Sequence, residues 1–116
     1  MILLLAPAAR AAPCTDYANA VLTALHGADH VDESSGVSVG ADGLLWTLDD
    51  SGGPTELYAF RADGTYVGAS EVQGSTNYDW EDLAAGPCPD SVAPEGATVD
   101  RCLYVGDIGD NRSIRE

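Results

Sequence analysis

From residue 36 onward, apolar and polar positions alternate in short runs divided by Gly, Asp and Pro. Val37-Ser38-Val39 alternates at the period of a half-buried strand, Ala41-Asp42-Gly43 reads as a turn, and Leu44-Leu45-Trp46-Thr47-Leu48 reads as a second strand. The loop Asp49-Asp50-Ser51-Gly52-Gly53-Pro54 leads to a third strand at Leu57-Tyr58-Ala59-Phe60. A second Asp-Gly turn, at Ala62-Asp63-Gly64, leads to a fourth over 65–71. Ahead of these strands the period is different. Tyr17, Val21 and Leu25 recur at helical spacing behind the N-cap candidate Thr15, with Gly27 at the C′ position, which predicts a helix over 16–26.

The β pattern then starts again. Asp82-Leu83-Ala84-Ala85 falls where Gly36-Val37-Ser38-Val39 fell, an offset of 46 from Gly36 to Asp82. Cys102-Leu103-Tyr104-Val105 falls where Leu44-Leu45-Trp46-Thr47 fell, an offset of 58 from Leu44 to Cys102. The difference is a Pro- and Gly-containing excursion between Cys88 and Cys102, inserted at the hairpin turn. Four short strands recurring at about 40–45 residues is the period of a propeller blade, the alternative being a small sandwich of Gly-rich hairpins. The expected fold is all-β: one full four-stranded antiparallel blade plus part of a second, preceded by a short helix. The expected divisions are a signal-peptide remnant over 1–11, a helical segment over 12–30 and an incomplete propeller domain over 31–116. On this reading the chain is an N-terminal piece, and the C-terminal blades of the same protein are its first partners.

Charge narrows the function classes. Five Arg, no Lys and 19 acidic residues give a net charge of −14 and a pI near 4.1. Such a surface repels phosphate backbones and anionic headgroups, so nucleic acid is excluded as a partner. The apolar run Met1 to Ala9 has the length of a signal-peptide h-region, too short to cross a bilayer, and Ala9-Arg10-Ala11 offers a small-x-small cleavage site. The chain is therefore expected to be secreted, periplasmic or extracellular, with no membrane insertion after processing. Pro13 before Cys14 argues against a lipoprotein. In an oxidising compartment Cys88 and Cys102 are expected to pair across the excursion, leaving Cys14 over.

The chemistry-bearing residues are the acids gathered at strand ends. Asp32-Glu33, Asp49-Asp50, Asp79-Trp80-Glu81-Asp82 and Asp107-Ile108-Gly109-Asp110-Asn111 form the clusters, and Asp49 and Asp107 are equivalent in the repeat. Crowded carboxylates repel unless a cation or a shared proton relieves them. Carboxylate, amide and carbonyl ligands suit a hard cation, calcium first, and the absence of thiol or imidazole clusters argues against zinc. The candidate ligands are Glu33, Asp49, Glu81, Asp82, Asp107, Asp110 and Asn111. At least three of Glu33, Asp49, Glu81 and Asp107 are expected to converge. Strand alternation puts Asp79 and Glu81 on one face, Trp80 and Asp82 on the other. Elsewhere, Gly36-Val37-Ser38-Val39-Gly40 fits G-x-S-x-G but runs into a turn and a strand, where a nucleophile elbow needs a helix. Trp46 and Tyr104, equivalent in the repeat, read as core residues.

Four motifs in order over 33–112 carry a resemblance: Glu33-Ser34-Ser35-Gly36, Leu44 to Gly52, Asp79 to Ala84 and Leu103 to Asn111. They resemble exported bacterial six-bladed, TolB-like propellers, similar in pattern to the SdiA-regulated and esterase-like phytase propellers. Leu48-Asp49 stands where members of that family often carry His-Asn. Glu81-Asp82-Leu83 is also similar to the Glu-Asp-Leu of paraoxonase-type propellers, which would imply that Glu81 faces a catalytic calcium and Asp82 a structural one. The resemblance implies architecture more than activity. The expected function is an exported propeller with an acidic calcium site at its channel mouth, acting as a binding scaffold for a ligand or protein partner that the sequence leaves unidentified. The alternative is a calcium-dependent hydrolase of phosphoesters, esters or lactones.

Overall fold

The computed structural model of the chain describes residues 28–89, 101–111 and 113. The expected helix over 16–26, the leader over 1–11 and Cys14 lie outside these residues. A 3-10 turn at Ala28–His30 leads into six strands: β1 (Ser34–Val39), β2 (Leu45–Asp49), β3 (Glu56–Phe60), β4 (Tyr66–Glu71), β5 (Trp80–Pro87) and β6 (Arg101–Asp107). The first four form an antiparallel sheet in chain order, and β5 and β6 form an antiparallel pair. The described residues are thus all-β.

Local sequence sets the hairpins. Gly43 and Gly64 take positive φ of 76° and 86°, which the Asp-Gly turns require and most side chains resist. In each turn the preceding Asp closes an Asx-turn: the Leu44 N–H donates to Asp42 Oδ1 at 3.0 Å, and the Thr65 N–H to Asp63 Oδ1 at 3.0 Å. Hydrogen bonding to the Thr65 backbone holds the Asp63 carboxyl below its ordinary range.

Packing joins the two sheets. Leu48, Leu57, Trp80 and Leu83 form one buried cluster, so side chains of β2 and β3 meet side chains of β5. Leu48 is fully buried, which is worth about 1.5–3 kcal/mol over exposure. Val31, Tyr58 and Phe60 form a second cluster, with Leu45 and Tyr66 against it. His30 stacks on Tyr66 with ring centroids 4.9 Å apart. Where β1 meets β5 the backbones themselves touch. A Cβ at Gly36 would lie 2.6 Å from the Leu83 nitrogen, so no larger residue fits without moving a strand. Beside it the Ser35 hydroxyl donates to the Trp80 carbonyl at 2.8 Å.

The second hairpin repeats the first in register. Ser34↔Asp49, Val37↔Thr47, Ser38↔Trp46 and Val39↔Leu45 pair in β1–β2. Trp80↔Asp107, Leu83↔Val105, Ala84↔Tyr104 and Ala85↔Leu103 pair in β5–β6, each strand displaced by the offsets read from the sequence. An irregularity falls at the same place in both, after Ser34 and after Trp80. In β5 it corrects the expected alternation. The extra residue brings Trp80 and Leu83 into one core cluster and leaves Asp82 exposed, its carboxylate accepting the Leu83 N–H at 2.8 Å. Tyr104 also departs from expectation. Trp46 packs against the core, whereas Tyr104 is 43% exposed and its hydroxyl donates to the Pro87 carbonyl.

Cys88 and Cys102 form the expected disulfide, with Cα atoms 4.9 Å apart and the bridge closing the base of the excursion. For a separation of 14 residues the chain-entropy account gives about 3 kcal/mol of stabilisation.

Candidate metal centre

The acids meet where β2 ends and β5 begins, and an amide holds those two ends together. Asn77, buried, donates from Nδ2 to the Asp49 carbonyl at 3.1 Å and to the Asp50 carbonyl at 2.7 Å. Its Oδ1 accepts the Trp80 N–H at 3.2 Å. Both ends of the amide are therefore satisfied, and the Asp50 backbone is tied to the strand that carries Glu81.

On this frame Asp50, Asp79 and Glu81 each bring a carboxylate oxygen to within 4.8 Å of the others. Asp79 is only 5% exposed and is fixed by the segment after β6. Its Oδ1 accepts from Asn111 Nδ2 and its Oδ2 from the Asn111 N–H, both at 3.0 Å. Its carbonyl accepts the Gly109 N–H at 3.1 Å. A Cβ at Gly109 would run into Glu81 and would lie 2.5 Å from Asp79 Cγ, so glycine there leaves the room the carboxylates occupy. Glu81 feels the crowding: the charge of Asp50 first, then partial burial, then the charge of Asp79 push its carboxyl above the ordinary glutamate range. A cavity of about 300 Å³, lined by Asp32, Glu33, Asp49, Asp50 and residues 51–54, has Asp50 in its wall.

Of the residues expected to converge, Glu81 alone belongs to this group; Asp50 and Asp79 stand where Glu33, Asp49 and Asp107 were expected. Asp49 and Asp107 instead cap their own hairpins. Asp49 Oδ1 accepts the Glu33 N–H at 3.2 Å, and Asp107 Oδ1 accepts the Asp79 N–H at 3.1 Å, the same bond at repeat-equivalent positions. Asp107 Oδ2 also accepts the Tyr78 N–H at 3.4 Å. Buried Asp49 helps burial push the Tyr58 hydroxyl up to about 12. Glu33 is exposed, and its carbonyl accepts the Asp50 N–H at 2.9 Å. Asp82 lies on the exposed side of β5. Asp110 accepts the Ser113 N–H through its carbonyl at 2.9 Å, and Asn111 serves as the hydrogen-bond partner of Asp79.

Asn77 is the residue that sequence reasoning missed. Its signal was Asn-Tyr-Asp directly before a strand, a turn-forming amide whose partners lie 27 and 28 positions away. No protein-family model matches the chain, and comparison with curated proteins and with solved structures finds no match.

Proposed function

We propose that Asp50, Asp79 and Glu81 bind calcium between successive blades of an exported six-bladed propeller, and that the bound ion fixes this mouth of the molecule as a binding scaffold. The observation that carries the reading is the three-carboxylate group itself, with oxygens within 4.8 Å of one another. Two oxygens that share one calcium, each about 2.3–2.6 Å from it, stand at most about 5 Å apart, so the group spans one ion. The pre-ordering of Asp79 by Asn111 lowers the conformational cost of binding. The blade assignment is supported by the repeated register of the two hairpins and by the backbone approach of β1 to β5 at Gly36. Export is supported by the disulfide. Among the described residues no helix is long and apolar enough to cross a membrane.

Calorimetric titration with calcium, and thermal unfolding with and without a chelator, test it. Calcium at 100 times its dissociation constant raises stability by about 2.7 kcal/mol. Asp50→Asn and Glu81→Gln abolish the heat and the shift. Unchanged melting and no heat at millimolar calcium would sink the proposal.

A further inference from the structure

We infer that the cavity between the β1–β2 turn and the first residues of β6 binds a small zwitterion, a free α-amino acid with an apolar side chain. It lies at the opposite end of the strands from the carboxylate group. Trp46 stands near the start of β2 and Arg101 at the start of β6, whereas Asp50 follows the end of β2, and Trp80, at the start of β5, faces Asp107. At about 3.3 Å per residue, β6 alone separates the two ends by about 20 Å. The inference goes beyond the cation reading and does not depend on it.

The cavity holds about 210 Å³. Its floor is half-buried and largely apolar, made by Trp46, Leu103 and Cys102 of the disulfide. Its rim is exposed and carries one charge of each sign, Asp42 from the turn and Arg101 from β6. Among the described residues no ion pair joins the two. The Asp42 carboxylate is held in place: Oδ1 accepts the Leu44 N–H at 3.0 Å, and the Trp46 Nε1–H is 3.2 Å from both oxygens. The indole is seated against Gly40, where a Cβ would lie 2.6 Å from Nε1 and displace the ring. Arg101 stands next to the bridged Cys102 and pairs with Pro87 across the ladder. An ionised carboxylate has about four acceptor sites, so Asp42 keeps capacity at Oδ2 for an ammonium group. The guanidinium fork takes a carboxylate through two parallel hydrogen bonds. A molecule that offers both charges at the rim and an apolar side chain to the floor is an α-amino acid. The volume agrees, lying below the roughly 300–1,000 Å³ of sites for drug-sized ligands. A neutral sugar of similar size would meet neither charge with an opposite one.

The probe is L-leucine, titrated into the 116-residue chain in chelator and followed by calorimetry and by the emission of Trp46. Because calcium is absent, either proposal can fail without the other. The expected result is saturable one-to-one binding with a dissociation constant below about 1 mM. Leucinamide, which lacks the carboxylate, and N-acetylleucine, which lacks the ammonium, each bind at least about tenfold more weakly. Arg101→Met removes the fork at an exposed position, and Asp42→Asn removes the charge while keeping an oxygen for the turn. Each variant weakens leucine at least about tenfold while the denaturant midpoint of the Arg101 variant stays unchanged. In Arg101→Met, leucine and leucinamide bind alike, a result that a merely structural role for Arg101 would not produce. No saturable binding at millimolar leucine, equal binding of leucinamide or of glucose by the parent chain, or full affinity in Arg101→Met would each overturn the inference.

Discussion

The hairpins β1–β2 and β5–β6 share register, a common irregularity and a common cap, yet they differ in what surrounds them and in what chemistry they carry. In both, an Asp at the end of the second strand accepts the N–H of an acid before the first: Glu33 to Asp49, and Asp79 to Asp107. The differences sit at positions the backbone pattern does not use. Glu81 has Ser35 as its equivalent, and Asp50 has Ile108, which is 69% exposed. The repeated residues thus build the frame, and two acids without an acidic equivalent, Asp50 and Glu81, join Asp79 in the carboxylate group. That group spans the two units, with Asp50 from the first and Asp79 and Glu81 from the second. Neither hairpin holds the group by itself.

The largest expected effect breaks the packing half of this comparison. Leu48→Ala empties a fully buried position and is expected to cost about 2–5 kcal/mol. Leu103→Ala, in a strand with no outer neighbour among the described residues, should cost less than half as much, because Leu103 is only half-buried. Urea unfolding of the two variants measures both. Equal losses would mean that β6 is as enclosed as β2.

Next comes the covalent difference. The turn between β1 and β2 is short, whereas β5 and β6 are joined by an excursion whose base is bridged. Replacing Cys88 and Cys102 together by Ser is expected to cost about 3 kcal/mol in the chain-entropy account, read from the denaturant midpoint. The loss should reach both sheets, since Trp80 and Leu83 of β5 share a core with Leu48 and Leu57.

A smaller effect separates the caps. A hydrogen bond to a charged group contributes about 1.5–3 kcal/mol, so Asp49→Ala and Asp107→Ala should each lose an amount of this order. Buried Asp49 is expected to lose more than half-buried Asp107. The same denaturant experiments rank them, and the reverse order would mean that burial does not set the worth of the cap.

Strand positions and the offsets were legible because Asp-Gly turns and alternation act within a few residues, and the repeat doubled the signal. The disulfide was legible for a related reason: the excursion it closes separates two segments that match a hairpin already read. The membership of the carboxylate group was not. Sequence equivalence singled out Asp49 and Asp107, but equivalence marks what both units need, which is the cap. The face that Trp80 and Asp82 occupy was misread because one bulge residue shifts every later side chain. Asn77 escaped because its partners are backbone carbonyls of a distant strand end, and carbonyls leave no trace in composition.

The smallest expected effect sharpens the chemical half of the comparison: Glu81 against its equivalent Ser35. Neighbouring Asp50 and Asp79 raise the Glu81 carboxyl above its ordinary value of 4.5 in the folded chain. A carboxyl that holds its proton more tightly folded than unfolded favours the folded state when protonated. Its contribution is complete below the unfolded value and is lost as pH rises through the folded one. In chelator, Glu81→Gln should therefore match the parent chain in stability below pH 4.5 and exceed it near neutrality, by less than either cap variant loses. Calcium reverses the order, because the ion relieves the repulsion in the parent and finds one ligand fewer in the variant. Melting temperatures of the two chains at acid and neutral pH, with and without calcium, read all four states. A variant less stable than the parent at neutral pH in chelator would show that Glu81 supports the fold through another contact, and the repulsion argument would fall.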